Sequence, residues 1–145
     1  MIRRVLVPFD FSEGARAALD LARSRFPGAQ VDVLHVVDGR QLGLRPVWMR
    51  DPRGGVPDTP SERERREVAV RQAQARLNEE LGGGLAVEGF PVETIVERAQ
   101  TQGYALVVIS PRGKSGLHRA VLGSVAEGVV RQARVPVLVL HSKVF

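Results

Sequence analysis

The run ALVVISPRGKSGLHRAVLGS, Ala105 to Ser124, combines the two features on which the fold turns. Its first five residues, Ala105-Leu-Val-Val-Ile109, are apolar without interruption. That is the pattern of a strand covered on both faces, rather than one alternating between core and water. The segment that follows is too long for wiring. A strand-to-helix connection in such folds takes about two to six residues, yet helical spacing resumes only with Ala126, Val129, Val130 and Ala133. The fifteen positions from Ser110 to Ser124 hold four basic or potentially basic residues, three glycines and three serines. Something besides chain reversal is expected to use them.

Upstream, Val5-Leu-Val-Pro8 is another short apolar run, ending at Asp10, after which Ala15, Ala18, Leu19, Ala22 and Phe26 fall at helical spacing. Asp10 or Ser12 is expected to cap this helix, with Glu13 completing an Asp-x-x-Glu box and Gly28 closing it. Val31 to Val37 reads as a strand. Residues 39–58 then form a span of about twenty residues rich in Gly, Pro and Arg, including Trp48. A loop of that length is either functional or disordered, and a long flexible loop is expected. Thr59-Pro-Ser-Glu62 has the form of a capping box with Pro at the first helical position. Its helix runs through Ala69, Ala73, Leu77 and Leu81 and stops at Gly82-Gly-Gly84. Leu85 to Gly89 is a short strand, Val92, Ile95, Val96 and Ala99 mark a helix, and Val135 to Leu140 is a final strand after the last helix.

The order β-α-β-α-β-α-β-α-β with apolar inner strands predicts a single doubly wound α/β domain, a five-stranded parallel sheet with helices on both faces. Ligands of such sheets bind beyond the carboxyl ends of the strands, where strand order reverses. The first strand ends there at Pro8-Phe-Asp10 and the fourth at Ile109-Ser110.

Composition narrows the function. At 145 residues and 43% hydrophobic, the chain fits one self-sufficient core. No apolar run approaches a membrane span, and Met1-Ile-Arg-Arg-Val-Leu-Val is interrupted by Pro8 and Asp10 before a signal-peptide core develops, so a cytoplasmic location is expected. Cysteine is absent, which removes thiolate chemistry and disulfides. His35, His118 and His141 show no ligand spacing, and no metal site is expected. The net charge of +5, with about nine Arg for every Lys, favours anionic partners. The basic residues are interleaved with acidic ones and no nucleic-acid-binding motif is present, so nucleic acid is a minor reading.

Gly113-Lys-Ser115 matches the end of a P-loop, but the first glycine of that pattern would fall on Val108, inside the strand, and Gly116 intervenes before any helix. The dinucleotide pattern Gly-x-Gly-x-x-Gly is missing. The stronger signal is Gly123-Ser124-Val-Ala-Glu127, which reads as a Ser-x-x-Glu capping box opening the last helix. A helix start presents unpaired N–H groups and a partial positive charge, suited to a phosphate. By itself such a box is an ordinary helix start, and Arg112, Lys114, His118 and Arg119 taken singly are ordinary solvated charges. Their coincidence at one strand end is what points to an anion site.

Gly113, nine intervening residues, then Gly123-Ser124 resembles the second half of the Gly-x2-Gly-x9-Gly-Ser/Thr ATP-binding motif of universal stress proteins. The resemblance extends over nearly the whole chain, through Val5-Leu-Val-Pro-Phe-Asp-Phe-Ser-Glu-Gly14, Leu34-His-Val-Val37, Glu88-Gly-Phe-Pro91 and Arg134-Val-Pro-Val-Leu-Val139. It implies an adenine-nucleotide alpha-hydrolase-like fold with strand order 3-2-1-4-5, and a homodimer built through Val135 to Leu140. It also implies that Asp10 and Val37 lie near ribose and adenine, Gly113 near the phosphates and ribose, and Gly123, Ser124 and Val125 around the phosphates. With their neighbours, the candidate ATP-contacting set is Pro8, Phe9, Asp10, Val37, Ile109, Ser110, Arg112, Gly113, Gly123, Ser124, Val125 and Ala126. The chain departs from the motif at its first glycine, which is Ser110. A positive φ or a need for clearance there would make serine a strain.

Catalysis has less support than binding. Asp10 could hold a divalent ion such as Mg2+ on the phosphates, but it equally suits a helix cap, and neither paired carboxylates nor a supported Ser-His-Asp set is present. The expected function is an ATP-binding regulator of the stress response acting as a dimer. The alternatives are a nucleotide-free dimerisation and protein-interaction module of the same fold, and a slow ATPase.

Overall fold

The computed structural model describes residues 1–44, 58–111 and 122–140. Its strands are β1 (Arg4–Pro8), β2 (Gln30–Val37), β3 (Leu85–Glu88), β4 (Leu106–Ile109) and β5 (Val137–Val139). Its helices are α1 (Glu13–Arg25), α2 (Pro60–Leu81), α3 (Pro91–Thr101) and α4 (Ser124–Gln132), and Gly39–Leu42 form a turn of 3-10 helix. All strand pairs are parallel, in the order β3-β2-β1-β4-β5. The expected doubly wound fold is the one observed.

Residues one apart on a strand face opposite sides of a sheet, and both sides here are covered. Val5, Val7, Val33 and Val108 pack with Ala15, Ala18, Leu19 and Ala22 of α1 and Leu77 of α2. Leu6, Leu34, Val107 and Ile109 pack with Ile95 and Ala99 of α3 and Ala126 and Val129 of α4. Helices on both faces are why β1 and β4 carry no alternation of polar residues. Each fully buried Val or Leu contributes about 1.5–3 kcal/mol relative to exposure. α3 and α4 also approach closely, because a Cβ on Gly128 would stand 2.6 Å from a Val92 methyl.

The helix termini show where local pattern and tertiary structure agree. At α2 the capping box forms as expected: Glu62 N–H donates to Thr59 Oγ1 at 3.1 Å, and Thr59 N–H donates to Glu62 Oε2 at 2.8 Å. At α1 the cap is Ser12, whose hydroxyl oxygen accepts from Ala15 N–H at 3.1 Å. Glu13 is therefore the first helical residue, and the Asp10–Glu13 box does not form. Asp10 instead accepts Ser12 N–H at 3.0 Å. The helix closes at Arg25 with Phe26 as cap, rather than at Gly28, because the residue before Pro27 is pushed out of the helical region. At α4 the cap is Gly123, with Ser124 already helical and no side-chain capping bond, so the Ser124–Glu127 box is likewise not made. β5 begins at Val137 rather than Val135, after Pro136, which has no N–H to give a ladder.

β5 lies at the sheet edge, with Leu138 39% exposed. The expected long loop 39–58 begins with the 3-10 turn, and residues 45–57 lie outside the described residues. Just beyond them, Arg66 is buried on α2 between Asp58 (Nε to Oδ2, 3.1 Å) and Glu88 (Nη1 to Oε2, 2.7 Å). Burial opposes its charge, but the bonds to Glu88 and Asp58 outweigh that and hold the guanidinium more firmly protonated than usual. No helix among the described residues is long and apolar enough to cross a membrane.

Leu6 is 1% exposed in the wall beneath α3 and α4. Leu6→Ala is expected to lower unfolding free energy by about 2–5 kcal/mol, read from the shift in urea midpoint at unchanged slope.

Candidate functional site

Because β1 lies between β2 and β4, the chain leaves β1 toward one side of the sheet and later returns on the other. The connections beyond the carboxyl ends of β1 and β4 therefore diverge and leave a cleft. It has a volume of about 400 Å3, within the range of small-molecule sites. Pro8, Phe9 and Asp10 at the end of β1 form its floor, with Ile109, Ser110 and Pro111 at the end of β4. Gly123, Ser124, Val125 and Ala126 close one end at the start of α4. At the other end stand Val36 from β2, Asp38 and Gln41 from the cap and body of the 3-10 turn, and Pro91 and Ile95 from α3.

The chemistry of the α4 end suits an anion. The helix's first backbone bond runs from Glu127 N–H to Gly123 O at 2.9 Å, so the amides of Ser124, Val125 and Ala126 have no intrahelical acceptor. Among the described residues no side chain caps them, a consequence of Gly123 rather than Ser124 holding the cap position. Gly123 N–H donates to Pro111 O at 2.6 Å and so draws the end of β4 and the start of α4 together. The aligned peptide dipoles add partial positive charge at this terminus.

The opposite end is apolar with two polar groups. Asp38 is held by Arg40 in a fork, with Nε 3.0 Å from Oδ1 and Nη2 2.8 Å from Oδ2, and it also accepts Arg40 N–H at 3.0 Å. Those side-chain bonds hold its carboxyl below the usual carboxylate range, against the opposing effect of burial. Arg40 in turn stacks over Phe90, 5.1 Å from the ring centroid. Gln41 has no side-chain hydrogen bond among the described residues, so its amide is available to a ligand. The floor is stiffened by His35, whose Nδ1–H donates to Phe9 O at 2.7 Å.

Nine of the twelve candidate residues thus surround one cleft: Pro8, Phe9, Asp10, Ile109, Ser110, Gly123, Ser124, Val125 and Ala126. Arg112 and Gly113 lie outside the described residues. Val37 is not in the wall, although Val36 and Asp38 on either side of it are, and its carbonyl accepts Gly89 N–H at 3.1 Å. Ser110 is 9% exposed, and Phe11 is the only described non-glycine residue with positive φ. The Ser110 position therefore does not call for glycine on backbone grounds. Val36, Asp38, Gln41, Pro91 and Ile95 went unread in the sequence. That ligands bind beyond the carboxyl ends of the strands points to the strand ends, but it gives no register for the third wall.

A second depression of about 440 Å3 lies at the opposite end of the sheet, beside Asp32, Gly82, Gly83, Gly84 and Tyr104. Helix carboxyl termini gather there, and Asp32 is already bonded by Arg4, Gln30 and Tyr104. It lacks the free amides of the α4 end, which makes the 400 Å3 cleft the candidate site.

The sequence pattern of the universal stress protein family matches residues 1–141. The chain belongs to that family. Universal stress protein MJ0577 of Methanocaldococcus jannaschii is 29% identical over 157 residues, an alignment covering 99% of this chain and 97% of the relative. A solved structure of MJ0577 matches with a TM-score of 0.76 at 28% identity, over 97% of this chain and 96% of that one. A universal stress protein solved in complex with cAMP shares the fold, with a TM-score of 0.54 at 21% identity over 97% of each chain. The fold is that of the universal stress proteins, adenine-nucleotide alpha-hydrolase-like with order 3-2-1-4-5. Among the described residues no cluster of three His, Asp or Glu side chains is placed to hold a metal ion.

The Asp38 fork makes a pH prediction. A carboxyl whose pKa is lowered by folding contributes stability that is present above its unfolded pKa and is lost as pH falls through the folded value. Asp38→Asn should therefore be less stable than wild type at neutral pH, with the gap in denaturation midpoint closing as pH drops below the ordinary Asp range. A gap that persists undiminished in acid would contradict the ion pair.

Proposed function

We propose that the protein binds an adenine nucleotide, ATP foremost, in the cleft above β1 and β4, and acts as a dimeric regulator in the stress response. The observation that carries this reading is the start of α4, where three uncapped amides face a cleft of nucleotide dimensions. Phosphates would take the amides of Ser124, Val125 and Ala126. The apolar end at Val36, Pro91 and Ile95 would take the base, with Gln41 within its wall. The ribose would then lie over Pro8–Asp10 and Ser110. The cAMP complex of a protein with the same fold supports an adenine nucleotide as the ligand class. A divalent ion would be held by the phosphates, with Asp10 as its protein ligand among the described residues. Asp38 is committed to Arg40, so the described cleft offers no assembled acid–base pair, and the nucleotide is read as a regulatory ligand rather than a rapidly consumed substrate. The exposed edge at β5, with Leu138 and with Val130 of α4 45% exposed beside it, is the proposed dimer surface.

Nucleotide released by denaturing freshly purified protein, identified by mass spectrometry, and calorimetric titration of stripped protein with Mg-ATP test the reading together. Losing a charge-assisted amide contact costs about 1.5–3 kcal/mol, so Gly123→Val is expected to weaken Mg-ATP binding at least about tenfold in a folded protein. Ser110→Gly should bind at least as well as wild type. No nucleotide and no heat at millimolar Mg-ATP would favour the nucleotide-free interaction module instead. In sedimentation, Leu138→Asp should convert a dimer to monomers, and an unchanged dimer would remove β5 as the interface.

A further inference from the structure

Between the cleft floor and the first helix, the chain passes through one unusual residue. Phe11 has φ 65°, a left-handed conformation that a side chain with a Cβ adopts at a cost. Such conformations persist only where the surroundings over-determine them, and they gather at functional sites. The surroundings here are specific. The Phe11 ring is 8% exposed, edge-on to Phe9 with centroids 5.2 Å apart and 4.9 Å from the His35 ring. Its outer side is covered by Arg76 of α2, whose guanidinium carbon stands 4.0 Å from the ring centroid. Glu80 holds Arg76 and also Arg16, which in turn lies over Phe9. The two edge-to-face rings are thereby clamped by one charged ladder.

The left-handed turn at Phe11 separates Asp10, which lines the cleft, from Ser12, which caps α1. The turn lets Ser12 N–H reach back to Asp10 Oδ1 at 3.0 Å. The other carboxylate oxygen has no hydrogen-bond partner among the described residues and is left to the cleft.

We infer that Phe11 is a positioning residue for the ligand site: its aromatic clamp holds the strained turn that presents the free Asp10 oxygen to a ribose hydroxyl or a phosphate-bound cation. This rests on the nucleotide reading above. The role requires Phe11 to act through Asp10, which ordinary core packing does not. The test is a double-mutant cycle with Mg-ATP as the probe, using wild type, Phe11→Leu, Asp10→Ala and the double variant, with melting temperature recorded for each. Phe11→Gly serves as a second probe, because glycine takes the left-handed turn freely and folds without that strain. It should loosen Asp10 by removing the ring.

Expected is a loss of about tenfold in Mg-ATP affinity for Phe11→Leu or Phe11→Gly with Asp10 present, and little or no further loss in the Asp10→Ala background. Equal losses in both backgrounds, or unchanged affinity in the folded Phe11 variants, would overturn the positioning role while leaving nucleotide binding intact. Failure of wild type itself to bind would overturn the nucleotide reading and this role with it.

Discussion

The structure depends on β1 pairing on both sides, with Val5 opposite Val31 of β2 and opposite Leu106 of β4. A strand placed first in sequence and third in space obliges the chain to wind outward in both directions. The cleft is the space left where those directions part. The same arrangement explains the apolar continuity of β1 and β4, since helices from each winding cover one face. The edge position of β5 is another consequence, because the second winding ends there. The site was therefore not carved into a finished fold. It comes with the strand order, and the residues around it decide what the opening can hold.

Those residues divide the cleft by charge. At the α4 end the protein presents backbone amides and a helix dipole, which favour anions without requiring a charged side chain. At the β2 end Asp38 has been neutralised by Arg40 and the walls are apolar. The floor between them rests on a strained turn whose cost can be compared with its support. A left-handed conformation costs a non-glycine residue roughly 1–2 kcal/mol. Aromatic pairs contribute about 0.5–1.5 kcal/mol each, and an exposed cation–π contact about 0.5–1 kcal/mol. The Phe9, His35 and Arg76 contacts to Phe11 are thus of the magnitude needed to hold the turn. The charged surface of α2, which looks in sequence like a merely solvated face, supplies part of that support.

Local signals in the sequence were legible where local interactions decide the outcome. Thr59-Pro60-Ser61-Glu62 needs only its own residues to cap α2, and its box forms as expected. Ser124 to Glu127 has the same form, yet the cap falls one residue earlier, where Gly123 is bonded to Pro111 across the cleft. A contact between distant residues set the register there. The position of the end of β2 had a similar effect, leaving Val37 out of the wall and bringing Val36 and Asp38 into it. Gln41 comes from the 3-10 turn and Pro91 and Ile95 from α3, two elements that only the fold brings together. Arg66, one arginine among many on α2, gives no sign in the sequence that it is buried between Asp58 and Glu88. The fold class and the position of the cleft followed from strand composition and order, whereas the membership of its third wall required the placement of β2 and α3.

The account stands most directly on the amides that open α4. Backbone N–H correlation spectra of the isotopically labelled protein, recorded before and after adding Mg-ATP, test them individually. The largest shifts are expected on Ser124, Val125 and Ala126, accompanied by changes at Phe9 and Asp10. Saturable binding whose shifts leave those amides unmoved and cluster elsewhere would contradict it.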